Sequence, residues 1–284
     1  MILDILLDAA LDSVKMLPFL FAAYWLIEFL EHRHSERVEH ALAGGGRFGF
    51  VPAALLGCLP QCGFSAMAAN LYGSKVITLG TLLAVFLTTS DEAVPMLLAL
   101  PEKWPALAAI MGVKLAVGLA AGFVLDFLCR GIIPASVRGG YTGRGEEVDC
   151  HEHEEADGIL KAALKHTLHI WLYIFAFNLL LGAVVALVGQ DAIGAWLAQS
   201  GWLQPALAGL IGLVPNCVAS ILITQLFAAG QLSFGGAVAG LCTAAGVGLA
   251  VLLRANKSWK QNVFIIGLLY AIGVAAGMVC GLFA

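Results

Sequence analysis

Two short stretches place thiols and amides inside an otherwise apolar chain. Gly57-Cys58-Leu59-Pro60-Gln61-Cys62 and Gly212-Leu213-Val214-Pro215-Asn216-Cys217 each interrupt an apolar run with a proline, an amide and a thiol. Thiolates suit thiophilic and borderline divalent ions, and amide oxygens add weaker, orienting ligands. A third stretch, Thr88-Thr89-Ser90-Asp91-Glu92, sets two carboxylates in an apolar run. An acid at the centre of a spanning helix costs about 2.5–3.5 kcal/mol on insertion scales, so this pair requires a cavity, a partner or a cation. The plainer alternative is a short turn outside the membrane, with Asp91 capping the next helix. Ser65, Thr88, Ser220 and Thr243 supply hydroxyls near these stretches as further substrate contacts. Cys150-His151-Glu152-His153 joins a thiol to two imidazoles, which are ligands for zinc or manganese-like ions. An ordinary acidic loop accounts for that cluster as well.

Composition says what must position these groups. Only 12% of the 284 residues are charged and 60% are hydrophobic, where a soluble domain is about 25% charged. A soluble enzyme, a disordered chain and a disulfide scaffold are excluded, and an all-α polytopic membrane protein is expected. The net charge of −4 and the lack of a basic patch give no footprint for nucleic acid. Seven cysteines, mostly within apolar runs, do not form a disulfide framework. Cys129, Cys242 and Cys280 are read as small hydrophobes. No basic region precedes the first apolar run, so no cleavable signal peptide is expected.

Apolar segments cover about 16–30, 48–72, 76–100, 104–129, 166–188, 203–229, 232–253 and 263–284. Asp4, Asp8 and Asp12 share one face of an interfacial helix that leads in. Sliding the chain by 155 positions gives eight identities over the 39 residues 57–95: Gly57, Pro60, Cys62, Ser65, Leu71, Gly80, Ala84 and Thr88 fall on their like. Two repeats are therefore expected, 1–130 and 159–284, joined by a polar linker at 131–158. Asp91 and Glu92 fall on Gly246 and Val247, so the acids belong to one copy alone. Among other polar residues, Glu28 and Lys114 are expected to snorkel to the interface, Asp126 to be solvated, and His166 and His169 to be interfacial.

Charge orients the copies. Arg33, Arg37 and Arg47, then Arg130, Arg138, Arg144, Lys161 and Lys165, then Arg254, Lys257 and Lys260 mark three basic loops. Basic loops face the cytoplasm, which puts both chain ends outside and sets the two copies upside down to one another. Proline-broken or re-entrant helices at matching positions of inverted repeats point to a binding site at the bilayer midplane. Ordinary proline kinks in packed helices are the alternative.

The runs 57–65 and 78–95 resemble the ten-transmembrane heavy-metal exporter family, whose members are labelled arsenic efflux proteins or manganese transporters. The resemblance implies a multi-pass permease of the bacterial inner membrane with ten short segments. It carries Gln61, Cys62, Ser90, Asp91 and Glu92 over as site residues, with Asn216 and Cys217 from the second copy. The expected activity is secondary transport, not catalysis: proton-coupled export of a divalent or arsenic-type species, with Cys62 and Cys217 touching it. No phosphate-binding loop is present, so a gradient or a separate partner supplies the energy. No cofactor is expected, the metal ion being cargo. The bilayer is the certain partner, and a homodimer is compatible with the sequence. The alternative is a carrier or channel for a small anion or other solute held at half-helix ends. An intramembrane enzyme using Asp91 and Glu92 is the remote third reading.

Overall fold

The computed structural model describes residues 48–60, 63–90, 93–140 and 199–283, with isolated positions 14, 18, 21, 164, 167, 168, 171, 172, 175, 176 and 197. The interfacial helix of Asp4, Asp8 and Asp12, the side chains of Glu28, His166 and His169, and the Cys150-His151-His153 cluster lie outside them.

The described chain is mostly helical, without strands. Five helices come first: α1 Phe50–Gly57, α2 Gly63–Gly73, α3 Leu79–Thr88, α4 Ala93–Leu98 and α5 Trp104–Phe123, which runs on through a π turn at Val124–Leu128. After a one-turn helix at Ala135–Arg138, five more are described: α6 Gln204–Gly212, α7 Cys217–Ala228, α8 Phe234–Thr243, α9 Val247–Ala255 and α10 Trp259–Phe283. The starts of α3, α5, α8 and α10 stand at the 155-residue separation read from the sequence. Local causes recur with them. Thr78 caps α3 by accepting from the Thr81 N–H, and Ser233 caps α8 by accepting from the Gly236 N–H. Pro60 and Pro215 fall in the gaps after α1 and α6, where a missing donor is harmless.

Among the described residues, four stretches are long and apolar enough to cross a membrane: Leu79–Leu98, Pro101–Leu128, Phe234–Ala255 and Trp259–Leu282. They form two layers. The interrupted pair is wrapped by protein, with 75% and 94% of residues buried, against 33% and 28% for the continuous pair. Leu128, Val263, Val279 and Leu282 accordingly turn apolar side chains outward. Trp104, Trp202 and Trp259 are exposed near helix starts, where amphipathic rings suit a headgroup boundary. The chain is thus a multi-pass membrane protein.

Packing within each set of five is alike. α3 lies between α1 and α5, and α8 lies between α6 and α10. The sets also interlock, because α2 packs on α9, α4 on α7 and α3 on α8.

Two expectations fail. Lys114 does not snorkel. It is fully buried, and its Nζ donates to the carbonyls of Thr89 and Leu241. It stands ten residues into α5, about 15 Å of rise from the helix start, beyond the reach of a four-carbon stem. Asp126 is not solvated either. It is 5% exposed and accepts from the Thr78 hydroxyl at 2.6 Å and the Gly80 N–H at 3.2 Å. The π turn carries this carboxylate to the α3 N-terminus, where unpaired N–H groups and the helix dipole favour it.

Candidate functional site

The site is built from the places where short helices stop. α1 ends at Gly57 because the next backbone approaches very closely. A Cβ on Gly57 would stand 2.8 Å from the Val85 carbonyl oxygen and would strike Thr88 Oγ1. Thr88 turns that hydroxyl back onto its own helix, donating to Ala84 O at 2.8 Å. The second set repeats the contact. Gly212 closes on the Gly240 carbonyl and Thr243 Oγ1, and Thr243 donates to Gly209 O at 2.8 Å. Behind each threonine stands another glycine, Gly118 of α5 or Gly273 of α10, where a Cβ would lie 2.6 Å from the threonine methyl. Small residues at such crossings let membrane helices approach to backbone contact.

These closures bring the interruptions together. Thr88, which ends α3, and Thr89 and Ser90, which follow it, are all at most 3% exposed. The Lys114 ammonium joins Thr89 O to Leu241 O in the last turn of α8, so the two interrupted crossings meet at one charge. Cys58 is half-buried and its Sγ donates to Ala54 O at 3.3 Å.

On the other side, Asn216 caps α7 by accepting from the Val218 N–H at 3.3 Å. Cys217 opens that helix and is 1% exposed, enclosed by protein and not turned to lipid. Ser220 donates to Cys217 O at 2.8 Å. Ser65 is fully buried, and a Cβ on Gly248 of α9 would meet its Cβ at 2.7 Å. Among the expected site residues, then, Thr88 and Ser90 sit beside the Lys114 bridge, Thr243 closes the matching contact in the second set, and Asn216, Cys217 and Ser220 form one capped turn.

Gln61, Cys62, Asp91 and Glu92 lie outside the described residues, as do Cys150, His151 and His153. Among the described residues no three His, Cys, Asp or Glu side chains group to hold a metal ion. Among the described thiols, Cys58, Cys129, Cys242 and Cys280 are free. Cys242 belongs to the apolar core, and Cys129 and Cys280 pack against it.

Sequence reasoning missed Lys114 and Asp126. A signal for Lys114 was present, since a lysine near the middle of a 20-residue apolar helix has no interface to reach. Asp126 had none, because its partners lie 48 and 46 positions away.

No curated protein and no solved structure matches the chain. One family model, described as "Putative, 10TM heavy-metal exporter", matches residues 1–191, which takes in α1 to α5 and stops short of α6. That is 191 of 284 residues, and it is the family that the runs 57–65 and 78–95 resemble. This multi-pass membrane protein belongs to the ten-transmembrane heavy-metal exporter family.

Proposed function

We propose that the chain is a secondary-transport permease that moves a heavy-metal species, a divalent cation or an arsenic-type species, out across the bacterial inner membrane. Two inverted halves cradle the cargo between their interruptions. Cys62 and Cys217 contact it, Gln61 and Asn216 orient it, and Asp91 or Glu92 carries the coupling proton.

The observation that carries the reading is the Lys114 bridge between the two interrupted crossings at Thr89 and Leu241. Backbone left unpaired by a helix break is tolerated at membrane depth only inside protein or beside a cavity. The inverted arrangement draws on further contacts. Phe50, at the start of α1, packs on Phe123 and Phe127 near the end of α5. Tyr72, at the end of α2, donates to Val137 O, and Thr78, at the start of α3, bridges to Gly139. So α1 and α2 leave from and return to one end of the bundle, as a re-entrant pair does. Gln204, at the start of α6, likewise bonds Gln231 and Ser233 beyond the end of α7. Ala255, at the end of α9, abuts Gly73, at the end of α2. Hence α9 exits where α3 enters, and α8 enters from the opposite end. Lys75, Arg130, Arg138, Arg254, Lys257 and Lys260 fall at the α3 end, which the positive-inside rule makes cytoplasmic; an N-terminus outside rests on the sequence pattern of residues 1–47 alone.

The test is metal-resistance profiling in a sensitised cell with manganese, zinc, cadmium, cobalt, arsenite and antimonite, reading cell-associated metal. Export should fall in Cys62→Ala and Cys217→Ala while both variants reach the membrane. Unchanged export by the folded double variant refutes the thiol site. The buried Lys114 ammonium favours one second reading, a carrier for a small anion, which would survive loss of both thiols.

A further inference from the structure

We infer that the carbonyls of Thr89 and Leu241 form a cation site which Lys114 fills from within, and that the exported metal ion enters by displacing this tethered ammonium. The inference rests on the metal-exporter reading and adds a residue that competes with the cargo.

Three observations carry it. First, the two carbonyls belong to helix C-termini. Thr89 is the C-cap of α3, and Leu241 lies in the last turn of α8. Carbonyls there lack helical partners and stand at the negative end of the helix dipole, so two such ends converging on one point favour a cation. Second, the cation present is built into the chain and fully buried, in a stretch where an ammonium is costly. Third, the second half does without it. The residue 155 positions on is Leu269, equally buried at the matching place on α10. An apolar side chain fills that crossing without a charge. The ammonium is thus peculiar to one half, as are Asp91 and Glu92, which follow Thr89 by two and three positions.

The consequence is quantitative. A site occupied by its own ammonium nine-tenths of the time binds an incoming ion about tenfold more weakly than the empty site. Displacement also frees a positive charge whenever cargo binds, so the site holds a cation at every stage of the cycle. That keeps the carbonyl ends from facing one another unscreened while the halves rearrange.

The test uses the full chain in detergent micelles, with cadmium(II) and manganese(II) as probes. Calorimetric titration compares wild type with Lys114→Met, whose folding is checked by size exclusion. The variant should bind the ion that wild type binds at least about tenfold more tightly. In parallel, wild type is exposed to an amine-acylating reagent with and without saturating ion, and modification at Lys114 is read by peptide mass spectrometry. Displacement should raise that modification at least about fivefold. Equal or weaker binding by folded Lys114→Met overturns the inference. So does tighter binding with unmoved acylation, because the ammonium then merely repels the ion from where it sits. If Lys114→Met does not fold, the acylation of wild type decides alone. Failure of wild type to bind either ion overturns this inference, whereas the metal-exporter reading stands or falls separately on the resistance profile.

Discussion

Thr88 and Thr243, 155 positions apart, hold the same station. Each ends a largely buried half-length helix and is clamped between two glycines of neighbouring helices, with the Thr88 hydroxyl turned to Ala84 O one turn back and the Thr243 hydroxyl turned closest to Gly209 O of α6. The clamp fixes where α3 and α8 stop, and so fixes the depth at which the polar interruptions begin.

The clamp should refuse a single methyl group. Gly57→Ala and Gly212→Ala each drive a Cβ into a backbone carbonyl that cannot yield, that of Val85 and that of Gly240. Overpacking of this kind costs about 1–3 kcal/mol. Thermal unfolding in detergent should show both variants destabilised. Gly112→Ala and Gly267→Ala, which meet nothing within 4 Å, should be neutral or gain from the better helix propensity of alanine.

The carboxylate of Asp126 should matter for stability in graded fashion. Asp126→Asn keeps an oxygen for the Thr78 hydroxyl or the Gly80 N–H but not both, whereas Asp126→Ala strands two buried donors. Each unsatisfied buried donor costs about 1–3 kcal/mol. The order of melting temperatures should be wild type, then Asn, then Ala. Equal melting of all three would show the buried contact to be unimportant.

Asn216 separates folding from transport. Asn216→Ala removes the cap of α7 and should cost about 1 kcal/mol. Asn216→Asp retains a capping oxygen and should restore the melting temperature, while its added charge beside Cys217 changes metal export. Export that tracks stability alone through both variants would make Asn216 purely structural.

The inverted arrangement predicts opposite exposure of two loops. In sealed vesicles, Glu102→Cys and Lys257→Cys, which stand at equivalent places of the two halves and are both exposed, should react with an impermeant thiol reagent from opposite sides, as read by peptide mass spectrometry. Reaction of both from one side would exclude upside-down halves.

Much of this was legible in the sequence because the cues are local. The interruption between α1 and α2 announces itself through Gly57 and Pro60, and that between α6 and α7 through Gly212 and Pro215. The caps at Thr78 and Ser233 follow from residue type at the start of an apolar run. Long-range pairings left no such mark. Asp126 reads as the polar end of a span until Thr78 is brought to it across 48 positions. Lys114 was misread for another reason. Its depth is countable in the sequence, since ten residues of helix on its short side place it too deep to snorkel.

The division between two sheltered, broken crossings and two continuous outer ones has an evolutionary consequence. Lipid tails ask of a side chain only that it be greasy, so the outward positions of α5 and α10, such as Leu128, Val263 and Val279, can drift among apolar types at little cost. Gly57, Gly118, Gly212 and Gly273 admit no neighbour in residue space, because even alanine collides there. Kindred chains should therefore diverge fastest on the hull and slowest at these four pinch points, whatever ion each has come to carry.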